Sequence, residues 1–174
     1  MSVTIRRATA LTDAEIEALA ELLAEVVAEG ASLGLLPPVE LAMARDYWRR
    51  IAVGDGVLLL AEIDEAIVGT VQVQHGESEN GRHRGEICKL LVHPGCRRRG
   101  IGRVLMERAE GAARAAGKTL LVLDAREGDP SNDLYRSLGY LKAGAIPDWS
   151  RDADGAPRAT AFFYKPLMDD AGTR

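Results

Sequence analysis

At 174 residues, 47% of them apolar, the chain has enough hydrophobic mass for one sizeable core and too little for two, so a single soluble domain is expected. Acidic side chains number 26 against 22 basic ones, and a net charge of −4 excludes any general attraction to nucleic acid or to an anionic membrane. There is no signal-peptide pattern and no apolar run of the ~18 residues a span requires, so a cytoplasmic protein is expected, its two cysteines (Cys88 and Cys96, in neither CxxC nor zinc-ligand spacing) reduced.

In chain order, VTIRRA (Val3 to Ala8) reads as a short strand. Thr12 with Glu15 makes a capping box ahead of the helical stripe Ile16, Leu19, Ala20, Leu23 and Val27. The loop GASLGLLPP leads to a second helix around Glu40 to Ile51. VLLLAEI and AIVGTVQVQ form a hairpin about the turn Asp64-Glu65, and GESENGRHRG leads into the strand EICKLLV. A helix begins at Ile101 and stops near Gly117. TLLVLDA then reads as a strand buried on both faces, SNDLYRSLG as a short helix, and YLKAGAI and ATAFFYKPL as the last two strands. This order implies a mixed sheet with helices on both faces, a single domain over residues 1–168 and a frayed tail over 169–174.

Between EICKLLV and the helix that follows stands GCRRRGIGRVLM, three arginines among glycines at a strand-to-helix turn. A helix N-terminus leaves backbone N–H groups without partners, and glycines there let a phosphate approach the backbone directly. Arg97, Arg98 and Arg99 add charge, and at roughly 1.5–3 kcal/mol per charge-assisted hydrogen bond two engaged arginines with the amides suffice to hold a pyrophosphate. A Walker A loop is excluded because Ile101-Gly102 stands where Lys-Ser/Thr must be, and a dinucleotide fingerprint because Leu105 takes the third glycine position.

LLVHPGCRRRGIG resembles the acyl-CoA loop of the GNAT superfamily of N-acetyltransferases, Arg/Gln-x-x-Gly-x-Gly/Ala, with Arg97, Gly100 and Gly102 at the pattern positions. SNDLYRSLGY resembles the same family's short tyrosine-bearing helix, and the resemblance covers nearly the whole chain in order. More narrowly, GASLG, EICKLLVHP, LVLDAREG, SLGYLKAGAIPDW and DGAPRATAFFYKPL together look like the tabtoxin-resistance type of acetyltransferase. The resemblance implies an α/β (α+β) fold of GNAT type, a mixed, mostly antiparallel sheet of about seven strands with about four helices on both faces. It implies acetyl-CoA as acetyl donor, held by Leu91, Val92, Arg97, Arg98, Arg99, Gly100, Ile101, Gly102, Arg103 and Val104. An asparagine that the superfamily often places seven residues before the tyrosine is Gly128 here; Asn132 lies nearby and is the substitute candidate.

Amine acetylation needs a base, since an alkylammonium of pKa about 10.4 carries a deficit of roughly 4–5 kcal/mol at neutral pH, whereas protonating a thiolate of pKa about 8.5 is worth only about 2 kcal/mol. Glu86, a carboxylate in an otherwise apolar strand that runs into the cofactor loop, is the candidate base, against a solvated edge residue. Asp124, ending TLLVLDA, is a second base or water-positioning group, or a cap of the following turn. Tyr135 occupies the family's tyrosine position and is the general acid that the resemblance implies. His93 reads as a turn residue, Cys88 as core rather than an acetyl carrier, and the histidines share no ligand spacing, so no metal is expected. The resemblance implies that Ser32 in GASLGLLPP, with Asp148 and Trp149 in PDWSRDADG, flank the acceptor from opposite sides, against the alternative of solvated turn residues. The second segment sets three aspartates against one arginine, which favours a small cationic or zwitterionic amine, with an amino-acid-like or antibiotic or toxin amine among the candidates. A protein N-terminus or lysine as acceptor, and a CoA-binding module without catalysis, stay open as alternatives, as does a homodimer; a nucleic-acid binder is disfavoured.

Overall fold

The computed structural model describes residues 2–52, 56–76 and 78–167; the expected tail, 169–174, lies outside them. The elements run β1 (Thr4–Ala8), α1 (Asp13–Ala28), α2 (Leu41–Ala52), β2 (Val57–Ile63), β3 (Ala66–His75), β4 (Arg84–Val92), α3 (Ile101–Ala115), β5 (Leu120–Arg126), α4 (Ser131–Ser137), β6 (Leu141–Arg151) and β7 (Pro157–Pro166). The strands form one seven-stranded sheet in the order β1-β2-β3-β4-β5-β7-β6, antiparallel everywhere except between β4 and β5. A mostly antiparallel mixed sheet of seven strands with four α-helices is the architecture that the resemblance implies.

Local chemistry accounts for the elements. Thr12 accepts from the Glu15 N–H while Glu15 accepts from the Thr12 N–H at 2.7 Å, so the capping box starts α1 as expected. The β2–β3 hairpin closes over Asp64 and Glu65, both at positive φ (48° and 68°), the geometry of a turn that matches strand twist.

Two apolar layers flank the sheet. On one face α1 and α2 pack Leu19, Leu23, Val27 and the fully buried Trp48 against Leu58, Leu60 and Leu91. On the other, Leu105, Met106 and Ala109 of α3 with Tyr135 of α4 pack against Val71, Ile87, Leu121, Leu123 and Phe163. The α1–α2 layer covers only the β1–β4 half of the sheet. β5 is therefore not buried on both faces as its apolar run implies: Leu121 and Leu123 enter the core while Asp124, on the other face, is exposed. β6 is also longer than expected and takes in Asp148 and Trp149, which sit in an irregular stretch between Ile146 and Ser150 rather than in a free loop.

Candidate active site

The parallel pairing of β4 with β5 is short. It joins Arg84 to Leu120, Gly85 to Leu121 and Glu86 to Val122, and then stops, although β4 continues to Val92 and β5 to Arg126. Past Glu86 the two strands diverge, and the β5-facing edge of β4 offers backbone groups to an added chain. β4 is also bulged: Leu91 opposes Thr70 and Cys88 opposes Gln72, leaving Lys89 and Leu90 against Val71, with Lys89 at φ 48°.

At the end of β4 a single 3-10 turn, Pro94–Cys96, leads to the arginines. Arg97 is extended and its Nε donates to the Val92 carbonyl at 3.2 Å, so Val92 offers the cleft less than the sequence suggests. Arg98 and Gly100 are left-handed, at φ 61° and 81°, which turns the chain into α3. No side chain caps α3, so its first-turn amides, over Ile101 to Arg103, remain open to an anion. Arg98 and Arg99 are exposed beside them, while Arg103 donates to Ser137 Oγ at 2.7 Å and ties this turn to α4. Gly102 faces the protein: a Cβ there would lie in ordinary contact with Leu134 Cδ2 at 3.4 Å and Val92 Cγ2 at 3.8 Å. The turn fits a pyrophosphate by its open amides and free arginines, and the parted strands fit an extended arm.

Four chemistry-bearing side chains converge where the strands part. Ile87 belongs to the α3-side core, so its neighbours Glu86 and Cys88 face the α1–α2 side, as Asp124 does between Leu123 and Ala125. Burial, followed by the charge of Glu86, pushes the Cys88 thiol up to about 12, with Asp124 adding to the effect. Cys88 is half-buried and belongs to neither core cluster, so it lines the gap rather than the core as expected, and a thiol held protonated is a poor nucleophile. Tyr135 comes from the other face, packed on Tyr140 and Phe163 with centroids 6.1 and 5.8 Å away. Its burial raises it to about 12, opposed by a hydrogen bond with Ser131 and reinforced by Asp124.

The remaining expected residues divide. Asn132 is buried, and its Nδ2 donates to the Arg126 carbonyl at 2.9 Å, while its Oδ1 has no partner among the described residues. Ser32 is half-buried in the α1–α2 loop beside Leu33, whose carbonyl accepts from Lys89 Nζ at 3.0 Å, so the β4 bulge anchors that loop at the site. Trp149 stands edge-on to Phe162, centroids 5.3 Å apart, and Phe162 is the register partner of Asp124. The acidic wall is a correction: Asp148 pairs with Arg151 at 3.0 Å, Asp152 with Arg158 at 2.5 Å and Arg126 at 3.3 Å, and Asp154 accepts from the Ala156 N–H. Three arginines from outside and within the segment cancel its charge, so it is no lure for a cation. Lys89, Tyr47, Gln72 and Phe162 escape the sequence reading because only the bulge and the strand register reveal them. Among the described residues no group of three or more His, Cys, Asp or Glu could hold a metal ion.

A sheet parted between two parallel strands, an uncapped helix with arginines at one end of the gap and carboxylates at the other, defines an acyltransferase of the CoA-dependent kind. Residues 21–140 match the model of the Acetyltransferase (GNAT) family. The chain is 31% identical over 167 residues to an IAA acetyltransferase of Azospirillum brasilense, covering 95% of this chain and 99% of that one. The chain belongs to the GNAT acetyltransferase family. Its fold is shared with a phosphinothricin acetyltransferase of Sinorhizobium meliloti in complex with AcCoA (TM-score 0.83, 22% identity, 100% of this chain and 93% of that one). It is shared equally with a ribosomal-protein-alanine N-acetyltransferase of Brucella melitensis (TM-score 0.79, 24% identity, 94% and 99%).

Proposed function

We propose that the chain transfers the acetyl group of acetyl-CoA directly to the primary amine of a small molecule. The observation that carries this reading is the end of β4–β5 pairing at Glu86, which sets a carboxylate at the root of the gap while the open α3 amides stand at its mouth. Acetyl-CoA supplies the acyl group and a thiolate leaving group. Arg98, Arg99 and the amides of Ile101 to Arg103 hold its pyrophosphate, and the β4 edge near Leu91 holds the arm and polarises the carbonyl. Glu86 takes the ammonium proton through water, and Asp124 orders that water or serves as a second base. Tyr135, at about 12, is a far weaker acid than a thiol of about 8.5. It therefore hydrogen-bonds the departing sulfur rather than surrendering a proton outright. Two free thiols suit a cytoplasmic place.

The small acceptor is read from two features beside the gap: Trp149 stands edge-on to Phe162, the register partner of Asp124, and Lys89 ties the α1–α2 loop to β4. A panel of amines and peptides, scored by release of CoA thiol, tests the reading. Small amines should exceed ribosomal and histone-type peptides in kcat/KM, and Trp149→Ala should raise KM for the amine while sparing that for acetyl-CoA. Peptides outcompeting small amines would establish protein acetylation instead, and no thiol release at all would leave a binding module.

A further inference from the structure

A cavity of about 790 Å³ opens at the end of the sheet where β1 and β3 finish, beneath the last turn of α2. Arg7, Arg50, Arg82, Gln72 and Gln74 line it together with Lys118, and among the described residues its lining includes no carboxylate. Lys118 Nζ is spent on the Arg82 carbonyl at 2.7 Å, but the guanidinium groups of Arg7, Arg50 and Arg82 make no ion pair with any described residue. Arg6, Arg45, Arg126 and Arg158 are ion-paired elsewhere, whereas Arg84, Arg98, Arg99 and Arg108 are, like the cavity's three, without an ion pair among the described residues, so it is their grouping about one space that sets these three apart.

The second observation is Gln72. It is 2% exposed, its Oε1 accepts from the Tyr47 hydroxyl at 3.1 Å, and its Nε2 has no partner. A buried amide whose acceptor end is fixed by a tyrosine presents two N–H bonds that want an oxygen anion or carbonyl. The unexplained donor and the unpaired arginines line the same space.

Register ties this space to the chemistry. Gln74 opposes Glu86 and Gln72 opposes Cys88, so Gln72 is the diagonal neighbour of Glu86 on one face, a relation of about 7–8 Å between backbones. An amine placed at Glu86 and an oxygen anion placed at Gln72 and Arg50 would belong to one short molecule.

We propose that this cavity receives the acid group of the acceptor, which makes the acceptor a carboxylate-bearing primary amine of amino-acid size. This rests on the small-molecule reading above and names its substrate class. Gln72 and Arg50 set the specificity: Gln72 donates to the carboxylate from beneath and Arg50, at the end of α2, from the rim. Arg7 and Arg82 supply field without fixed contact.

The test uses amino acids of two to six carbons, both α- and ω-amino, each compared with its carboxamide and with the plain alkylamine of equal length. Binding to the cofactor-free protein is measured by calorimetry, and turnover by CoA thiol release. At least one acid should bind about tenfold more tightly than its amide, and Arg50→Gln, a change on an exposed helix face, should erase that preference while leaving the amide's affinity and the KM for acetyl-CoA unchanged. Gln72→Glu, which keeps an acceptor for Tyr47 and turns the cavity's donor into a second anion, should reject the acid. If no acid binds better than its amide, or if Arg50→Gln weakens acid and amide alike, the assignment is overturned. Preferred, Arg50-dependent binding without turnover would uphold the cavity and overturn the transfer reaction, so the two failures are distinguishable.

Discussion

Glu86 and Tyr135 approach the gap from opposite faces of the sheet, and their chemistry predicts unequal costs of removal. The ammonium deficit at neutral pH, about 4–5 kcal/mol, is larger than the roughly 2 kcal/mol at stake in protonating the thiolate, and a tyrosine at about 12 cannot supply all of that. Glu86→Gln should therefore lower kcat at pH 7 by more than Tyr135→Phe does on the same amine. Its deficit should shrink as pH rises toward 10, where the amine loses its own proton; Tyr135→Phe should show no such recovery. A pH series of kcat for both variants decides it, and the reverse order of losses would exchange or abolish these roles. Glu86, Asp124 and Tyr135 are legible in the sequence because each sits at a punctuated place: a charge in an apolar strand, a strand end, a motif position. Gln72 and Tyr47 carry no such mark, since a glutamine alternating with valines in β3 reads as an outward-facing polar residue until α2 covers it.

The strand-to-helix turn joins two elements whose roles separate by substitution. Gly100 has φ 81°, a conformation that a branched residue strains, and it stands at the uncapped start of α3. Gly100→Val should weaken acetyl-CoA binding at least about tenfold by calorimetry. Gly102→Ala should leave affinity near that of the native chain, since its Cβ makes only ordinary contact with Leu134 and Val92, whereas Gly102→Val should push on Leu134 and loosen α4. Equal effects of the two alanine-sized and valine-sized changes at Gly102 would refute this division. Further along the same helix a buried charge ties α3 to β7: Glu110, 4% exposed, takes Lys165 Nζ at 2.6 Å, and Lys165 also donates to the Leu138 carbonyl. Lys165→Met removes the close partner of that carboxylate, leaving Arg114 at 3.7 Å and the neighbouring Tyr140 hydroxyl among the described residues, and should cost about 3 kcal/mol in urea unfolding. Periodicity predicts α3 and β7 separately but gives no sign that they exchange a charge. The same limit explains β6, whose irregular stretch about Asp148 and Trp149 carries proline and aspartate and so reads as the loop it is not.

Across the whole molecule several neutral acids, Cys88 at the gap among them, are kept protonated by burial. Cys88 and Tyr47 on the α2 side and Tyr135 on the α4 side are each raised to about 12, and Tyr140 is raised as well, in every case by burial first. In the unfolded chain a thiol titrates near 8.5 and a phenol near 10. Each group thus contributes stability that is complete below its unfolded value and is lost as pH climbs toward the folded one, because above the unfolded value the open chain binds fewer protons than the native one. The fold should hold a plateau up to about pH 8 and then weaken, by about 1–2 kcal/mol at pH 9.5, chiefly through Cys88, and faster beyond pH 10 as the tyrosines join. Urea unfolding at intervals from pH 7 to 10.5 measures this. Cys88→Ala should flatten the slope between pH 8 and 10 while leaving the steeper fall above 10 in place. A native chain whose stability is level through pH 9.5, or a Cys88→Ala chain that loses as much, would mean that the thiol is ionisable in the folded chain and that the gap is wetter than its packing implies.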